Sequence, residues 1–159
     1  MAERSDELIS TGSPRVLLRR AEPTDWPAVE ALLTTATLPI EDLGADRLDA
    51  FLVAEIGGEI VGAVGHESYA DVGLLRSLVV REDRRNSNLG RKLVEAIEAT
   101  ARMAGIDELW LLTIDAERFF ERRGYAFVDR EAAPDAIRGT AEFSTLCPGT
   151  AFLMRKRLL

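Results

Sequence analysis

The segment Val80-Arg-Glu-Asp-Arg-Arg-Asn-Ser-Asn-Leu-Gly-Arg-Lys-Leu93 has the make-up of an anion-binding turn, except that it holds a single glycine. An apolar run precedes it and a helical pattern follows. A turn from a buried strand into a helix N-terminus gathers unpaired backbone N–H groups at one place, and the helix dipole adds partial positive charge there. Glycine usually serves such turns, because it tolerates positive φ and lets the backbone approach the anion. Asparagine is the next best residue for a left-handed conformation. Asn86 and Asn88 are therefore expected to supply the backbone shape at a higher steric cost, with Gly90 inside the first helical turn and Arg85 and Arg91 as cationic donors. The chemistry this offers is phosphate binding by main-chain amides. Taken alone, the segment fits an ordinary strand-to-helix loop with a solvated charge run just as well.

The elements that position this turn follow from the apolar pattern. Arg15–Arg20 reads as a first strand. Thr24-Asp-Trp-Pro27 opens a helix, with Thr24 as N-cap, Pro27 in the first turn and Trp26, Val29, Leu32 and Leu33 on one face. Leu38–Leu43 is a loop or a short helix. Strands follow at Phe51–Ile56 and Glu59–His66, separated by the hairpin pair Gly57-Gly58. Val72–Val80 reads as a central strand. Leu89, Leu93, Ile97 and Ala101 mark the buried face of a helix ending near Gly105. Leu109–Thr113 is a strand, 116–123 a short helix closed by Gly124, and Tyr125–Val128 and Thr150–Met154 the last two strands. The strand–helix–strand unit over 72–113 is expected to be a parallel, right-handed crossover. The pattern gives one α/β domain with a mixed sheet over residues 15–159, preceded by a loose polar tail over residues 1–14.

Bulk properties narrow the function classes. The 159 residues are a usual length for one domain, and 47% apolar with 30% charged residues describes a folded, soluble chain. No apolar run reaches the roughly 18 residues of a membrane span. The polar N-terminus lacks the apolar core of a secretory signal and Cys147 is the only cysteine, so a cytoplasmic location is expected. A net charge of −7 disfavours nucleic acid as the main partner.

The stretch Leu78–Leu93 resembles the acetyl-coenzyme A motif of the GNAT N-acetyltransferases, R/Q-x-x-G-x-G/A, with Arg85, Asn88 and Gly90 at the positions of its Arg, first Gly and last Gly. Ala116-Glu-Arg-Phe-Phe-Glu-Arg-Arg-Gly-Tyr125 is similar to the second signature, A-x-x-F-Y-E-K-x-G-F. The two signatures, their spacing and the strand–helix order agree with that family over roughly residues 15–157. The segments Leu38–Leu43, Leu74–Val80, Leu111–Thr113, Phe119–Gly124 and Ala136–Pro148 resemble the arsenic-resistance N-acetyltransferase subgroup. The C-terminal half also resembles the acetyltransferase domain of N-acetylglutamate synthases. These resemblances imply a GNAT-like fold, with a mixed sheet of about seven strands flanked by helices and splayed between the fourth and fifth. They also imply acetyl-coenzyme A as donor, no metal, and a small acidic amino acid or toxin analogue as acceptor. The family often dimerises through its last strands, which leaves a homodimer open.

Carried over by resemblance, the cofactor's pyrophosphate falls to Arg85, Asn86, Ser87, Asn88, Leu89, Gly90 and Arg91. The pantetheine arm falls to the backbone of Leu78, Val79 and Val80, and the turn with Thr113, Asp115, Phe119 and Arg122 closes over it. An N–H near Leu78 or Val79 would stabilise the oxyanion formed when a neutral amine attacks the thioester. The tyrosine that often protonates the leaving thiolate is replaced by Phe120. Tyr125 stands where an apolar Phe is usual, so a core role is expected. His66 and Glu67, at a strand end facing the expected cleft, are the candidate bases, and alternation lets only one of them enter it. Glu55 is a third candidate. Arg76 interrupts an apolar strand and needs an anionic partner, either a substrate carboxylate or an acid of this chain. Arg138 is a second candidate for the acceptor carboxylate, against a surface role. Cys147 cannot by itself make the multi-thiolate site that soft metals prefer, and a buried structural role is expected. Two other readings stand beside a small-molecule enzyme: an acetyltransferase for protein N-termini or lysines, and a non-catalytic coenzyme A-binding module.

Overall fold

The computed structural model describes residues 15–159; the expected tail over residues 1–14 lies outside them. In chain order the elements are β1 (Val16–Arg20), α1 (Trp26–Thr35), β2 (Phe51–Ile56), β3 (Glu59–Tyr69), β4 (Val72–Val80), α2 (Leu89–Met103), β5 (Glu108–Thr113), α3 (Glu117–Glu121), β6 (Ala126–Phe127), α4 (Asp135–Arg138) and β7 (Phe152–Arg157). The strands form one sheet in the order β1-β2-β3-β4-β5-β7-β6. All neighbours are antiparallel except β4 and β5, the pair that α2 crosses between. The mixed sheet expected from the pattern is the one found.

Several boundaries moved for local reasons. Asp25, not Thr24, is the N-cap of α1; its carboxylate takes the Glu22 N–H at 2.7 Å and the Arg19 guanidinium at 2.8 and 2.9 Å. Leu38–Leu43 is a loop, entered through Thr37 with φ of 60°. Gly57 and Gly58 both have positive φ, 59° and 84°, the hairpin geometry their pairing suggested. β3 runs on to Tyr69 because Glu67, Ser68 and Tyr69 pair with Leu74, Gly73 and Val72. β6 shrinks to two residues, since Tyr125 turns into the core. β7 is shifted toward the C-terminus and pairs with β5 from Thr113↔Phe152 to Glu108↔Arg157.

The two faces of the sheet are covered differently. On one, Leu89, Leu93, Val94, Ile97 and Ala101 of α2 pack on Leu52, Ala54, Val64, Leu75, Leu109 and Leu111. Each such Leu, Ile or Val contributes about 1.5–3 kcal/mol on burial. On the other, α1 covers Val53, Ala63 and Val79 through Val29 and Leu33, while Ala133 and Ile137 cover Leu74, Trp110 and Leu153. Along β4 the uncovered stretch between these two clusters is where Arg76 lies, between Leu74 and Val79.

Candidate functional site

β4 and β5 pair only at Val72↔Glu108, Gly73↔Leu109 and Leu74↔Trp110. From Leu75 onward β4 has no β5 partner, so the sheet opens into a V. A bulge sits at the same place. Ala63 and Gly65 on β3 are two residues apart, yet their β4 partners Val79 and Arg76 are three apart. The extra residue is absorbed at Ser77, whose φ of 61° is left-handed backbone. The bulge keeps Arg76 and Val79 on one face despite their odd spacing. A cleft of about 760 Å³ fills the V, floored by Leu75–Val80 and walled by Leu111–Ala116, Phe119 and Phe120. At its rim are Arg85 and Gly90, and Thr35–Pro39 close the opposite side.

The turn at the end of β4 has the shape its sequence suggested. Asn86 and Asn88 both take left-handed φ, 67° and 66°, and Asn88 is the N-cap of α2. Among the described residues, no backbone bond accepts the N–H of Asn86, Ser87 or Asn88. Leu89, Gly90 and Arg91 open α2, where N–H groups have no intrahelical acceptor. The Ser87 hydroxyl donates to Arg84 O and Arg85 Nε donates to Val80 O at 3.2 Å, tying the turn down from below. At Gly90 a Cβ would lie 3.3 Å from Phe119 Cζ, a tight contact. The absent side chain therefore lets Phe119 reach the turn. Thr113 Oγ1 accepts the Ala116 N–H at 2.9 Å and shapes the β5–α3 corner, from which Asp115 and Phe119 border the cleft. Arg122 does not border it; it sits with Arg118 and Glu121 on a separate surface hollow. These residues fit a diphosphate carried on an extended arm: open amides at a helix start, an unpaired strand edge and an apolar wall.

A second cleft, of about 570 Å³, lies against the first, and Arg76 borders both. Asp42, Asp46, Arg47, Asp49, Glu67 and Tyr69 are among its lining residues. The Arg76 side chain is only 1% exposed. Its Nη1 donates to Asp42 Oδ2 at 2.5 Å and Glu67 Oε2 at 2.7 Å, its Nη2 to Asp42 Oδ1 at 2.8 Å, and its Nε to Ser77 Oγ at 3.1 Å. Nη2 also lies 3.3 Å from Glu142 Oε2. A guanidinium has five N–H donors, and here they meet groups of this chain. Of the two partners expected for Arg76, the structure shows the internal acids: four hydrogen bonds go to groups of this chain, and Nη2 faces Glu142 with the donor that remains. Burial opposes the Arg76 charge, but Asp42, Glu142 and Glu67 outweigh it and hold the guanidinium firmly protonated.

The candidate bases separate as alternation requires. Glu67 shares the face of Arg76, its side chain 26% exposed, and accepts from the Tyr69 hydroxyl and Arg76. His66 is 5% exposed and registers with Leu75, on the α2 side of the sheet. Burial lowers its pKa, Glu67 opposing, and neither ring nitrogen has a partner among the described residues. Although its residue borders the second cleft, a neutral imidazole sealed to that degree is core. Glu55 is taken by Arg19 at 2.9 Å, at the β1–β2 edge of the sheet and away from both clefts. Arg138 is exposed and donates to the carbonyls of Ala133, at 3.0 Å, and Glu131, so it braces its own loop and borders neither cleft. Phe120 is buried, edge-on to Phe119 and Tyr125, and walls the first cleft. Tyr125 is core as expected, its hydroxyl donating to Glu98 Oε2 at 2.9 Å.

One group escaped the reading of the sequence. Glu142 is 4% exposed and lies in a π-helical turn, Glu142–Leu146, that leans over the first cleft. Burial pushes its carboxyl up to about 7; Arg76 pulls it down, and Asp42 and Glu67 push it up. Nothing in its neighbourhood, Ala141-Glu-Phe-Ser, marks it by spacing. Only the fold brings it to Arg76, 66 positions earlier in the chain. Cys147 borders the same cleft half-buried, rather than buried, and burial raises its thiol to about 11, a protonated and unreactive state at neutral pH.

A family model described as an acetyltransferase (GNAT) domain matches residues 47–126, just over half of the chain. An uncharacterised N-acetyltransferase of Chlorobaculum tepidum is 36% identical over 93 residues, which are 58% of this chain and 59% of that protein. An amino-acid acetyltransferase of Pasteurella multocida is 27% identical over 133 residues, 76% of this chain but 29% of that protein. The match thus spans less than two thirds of either relative. Among solved structures, N-acetylglutamate synthase from Neisseria gonorrhoeae, complexed with coenzyme A and N-acetyl-glutamate, superposes with a TM-score of 0.80 at 21% identity, covering 93% of this chain and 36% of that one. At that identity the likeness is one of fold. The matched domain takes in the opened strands and the amide-lined turn, and on that match the chain belongs to the GNAT acetyltransferase family.

Proposed function

We propose that the chain is an acetyl-coenzyme A-dependent N-acetyltransferase acting on the amino group of a small amino acid, with glutamate-like acids and their toxin analogues as the acceptor class. Residues 15–159 act as one domain in this reading, in the cytoplasm. The observation that carries it is the meeting of two clefts at the β4 bulge: an amide-ended donor cleft and a charged acceptor cleft, joined at Arg76. Relatives named amino-acid acetyltransferase, and a fold neighbour solved with N-acetyl-glutamate, support the acceptor class. A carboxylate acceptor has a guanidinium to meet: Arg47 stands at the cleft and makes no salt bridge among the described residues.

The donor supplies a thioester carbonyl carbon. The turn amides of 86–91 hold its diphosphate, and the unpaired edge of β4 holds its arm. An N–H at Leu78 or Val79 meets the oxyanion; such a donor is worth about 3 kcal/mol of transition-state stabilisation. Phe120 has no proton to give, so the leaving thiolate takes its proton from the ammonium formed or from water.

A thiol-release assay with glutamate, phosphinothricin, arsinothricin and a set of N-terminal and lysine peptides tests the reading. Acetylation of the amino acids is expected. Peptides acetylated instead would move the function to proteins, and thermal stabilisation by acetyl-coenzyme A with no turnover on any amine would make the chain a binding module.

A further inference from the structure

Three carboxylates surround one guanidinium, and they are not equivalent. Asp42 and Glu67 take the hydrogen bonds of Arg76 at 2.5–2.8 Å. Glu142, the most buried of the three, is left with a contact at 3.3 Å. It is also the one that borders the donor cleft, which Arg76, Ser77 and Leu78 line as well. Asp42 and Glu67 border the acceptor cleft instead. A weakly neutralised carboxylate, almost fully buried and held against the guanidinium at which the two clefts join, has the situation of a general base.

We propose that Glu142 takes the proton from the acceptor ammonium, with Arg76 as the positioning residue that fixes its carboxylate. The assignment rests on the acetyl-transfer reading above. One proton passes from the ammonium to Glu142 and on to solvent. The freed lone pair forms the C–N bond, the C–S bond breaks, and the second N–H proton ends on the coenzyme thiol. The net release is one proton per turnover. Around Glu142 the charged and titratable groups are Arg76 from β4, Asp42 from its loop, Glu67 from β3 and Cys147 from its own segment.

The test is the pH dependence of kcat/KM for Glu142→Gln and Glu142→Asp, with the carboxyl titration of the ligand-free protein read by carbon NMR of labelled glutamate. Wild-type activity is expected to fall tenfold per pH unit below about 7. Glu142→Gln should lose at least about 100-fold in kcat, with the KM for acetyl-coenzyme A unchanged and the acid limb gone. Glu142→Asp should recover part of the rate. In the free protein one glutamate carboxyl should titrate near 7 and vanish from the spectrum of Glu142→Gln. If Glu142→Gln does not fold, Asp42→Asn decides: removing a neighbouring anion should move the acid limb to lower pH. An active wild type whose Glu142→Gln variant keeps the rate and the acid limb overturns the assignment alone. A wild type inactive on every amine overturns the acetyl-transfer reading and the base with it.

Discussion

At the scale of single residues, the turn shows how far a side-chain type can predict backbone. Asn86 and Asn88 were expected in the left-handed region, and both lie there. The expectation worked because the preference of asparagine is local and needs no tertiary partner. Arg76 was legible only by half. An arginine in an apolar strand demands an anion, but sequence cannot say which of 27 acids is near, and the answer came from residues 42, 67 and 142. His66 misled because titratability is a property of the residue type while exposure belongs to the fold. A prediction follows for the turn. Asn88→Gly should keep or slightly raise stability, because glycine meets φ of 66° without strain. Asn88→Val should lose about 1–2 kcal/mol, and both changes are read from urea midpoints. If the turn holds a diphosphate, Asn88→Val should also weaken acetyl-coenzyme A binding in calorimetry, whereas Asn88→Gly should not.

At the scale of elements, the order of strands and helices was readable because each amphipathic period declares itself within a few residues. The bulge at Ser77 was not. Serine carries no preference for positive φ, so the extra residue is imposed by pairing β4 with β3 and not by β4 alone. The end of β3 was missed for a related reason: its polar residues point into a charged cleft, where alternation of hydrophobicity no longer marks a strand. Gly65, opposite Arg76, shows what the pairing costs. The Phe51 ring lies over it, and a Cβ at Gly65 would come within 2.5 Å of that ring. Phe51 is 3% exposed, so its ring can make way for a Cβ only by leaving its packed position and swinging into the acceptor cleft. Gly65→Ala should therefore destabilise by about 1–3 kcal/mol. The drop should appear as a lower urea midpoint at unchanged slope, and a midpoint equal to wild type would mean that the ring moves freely.

At the scale of the whole molecule, a chain of net charge −7 concentrates opposing pH responses in one cluster. Burial alone would raise the Asp42 carboxyl, but the hydrogen bonds and charge of Arg76 prevail and hold it below its ordinary value. The unfolded chain then binds protons at Asp42 more readily than the folded one. Its contribution to stability is present above the ordinary carboxylate range and is lost as pH falls through the folded value. Glu142 runs the other way. Its carboxyl is pushed from 4.5 to about 7, so the folded protein binds the proton more tightly between those values. Its contribution is greatest below 4.5 and falls as pH rises toward 7. At 1.36 kcal/mol per unit, the charged form costs the fold about 3 kcal/mol once pH exceeds 7. Glu142→Gln keeps the shape and removes the titration. Wild type should therefore lose about 2–3 kcal/mol relative to Glu142→Gln between pH 5 and pH 8, measured by paired urea titrations. A difference that stays flat across that interval would mean that water already solvates the carboxylate. The same result would remove the electrostatic ground for a base at the junction of the clefts, since enclosure that raises the proton affinity of Glu142 is also what destabilises the fold as it ionises.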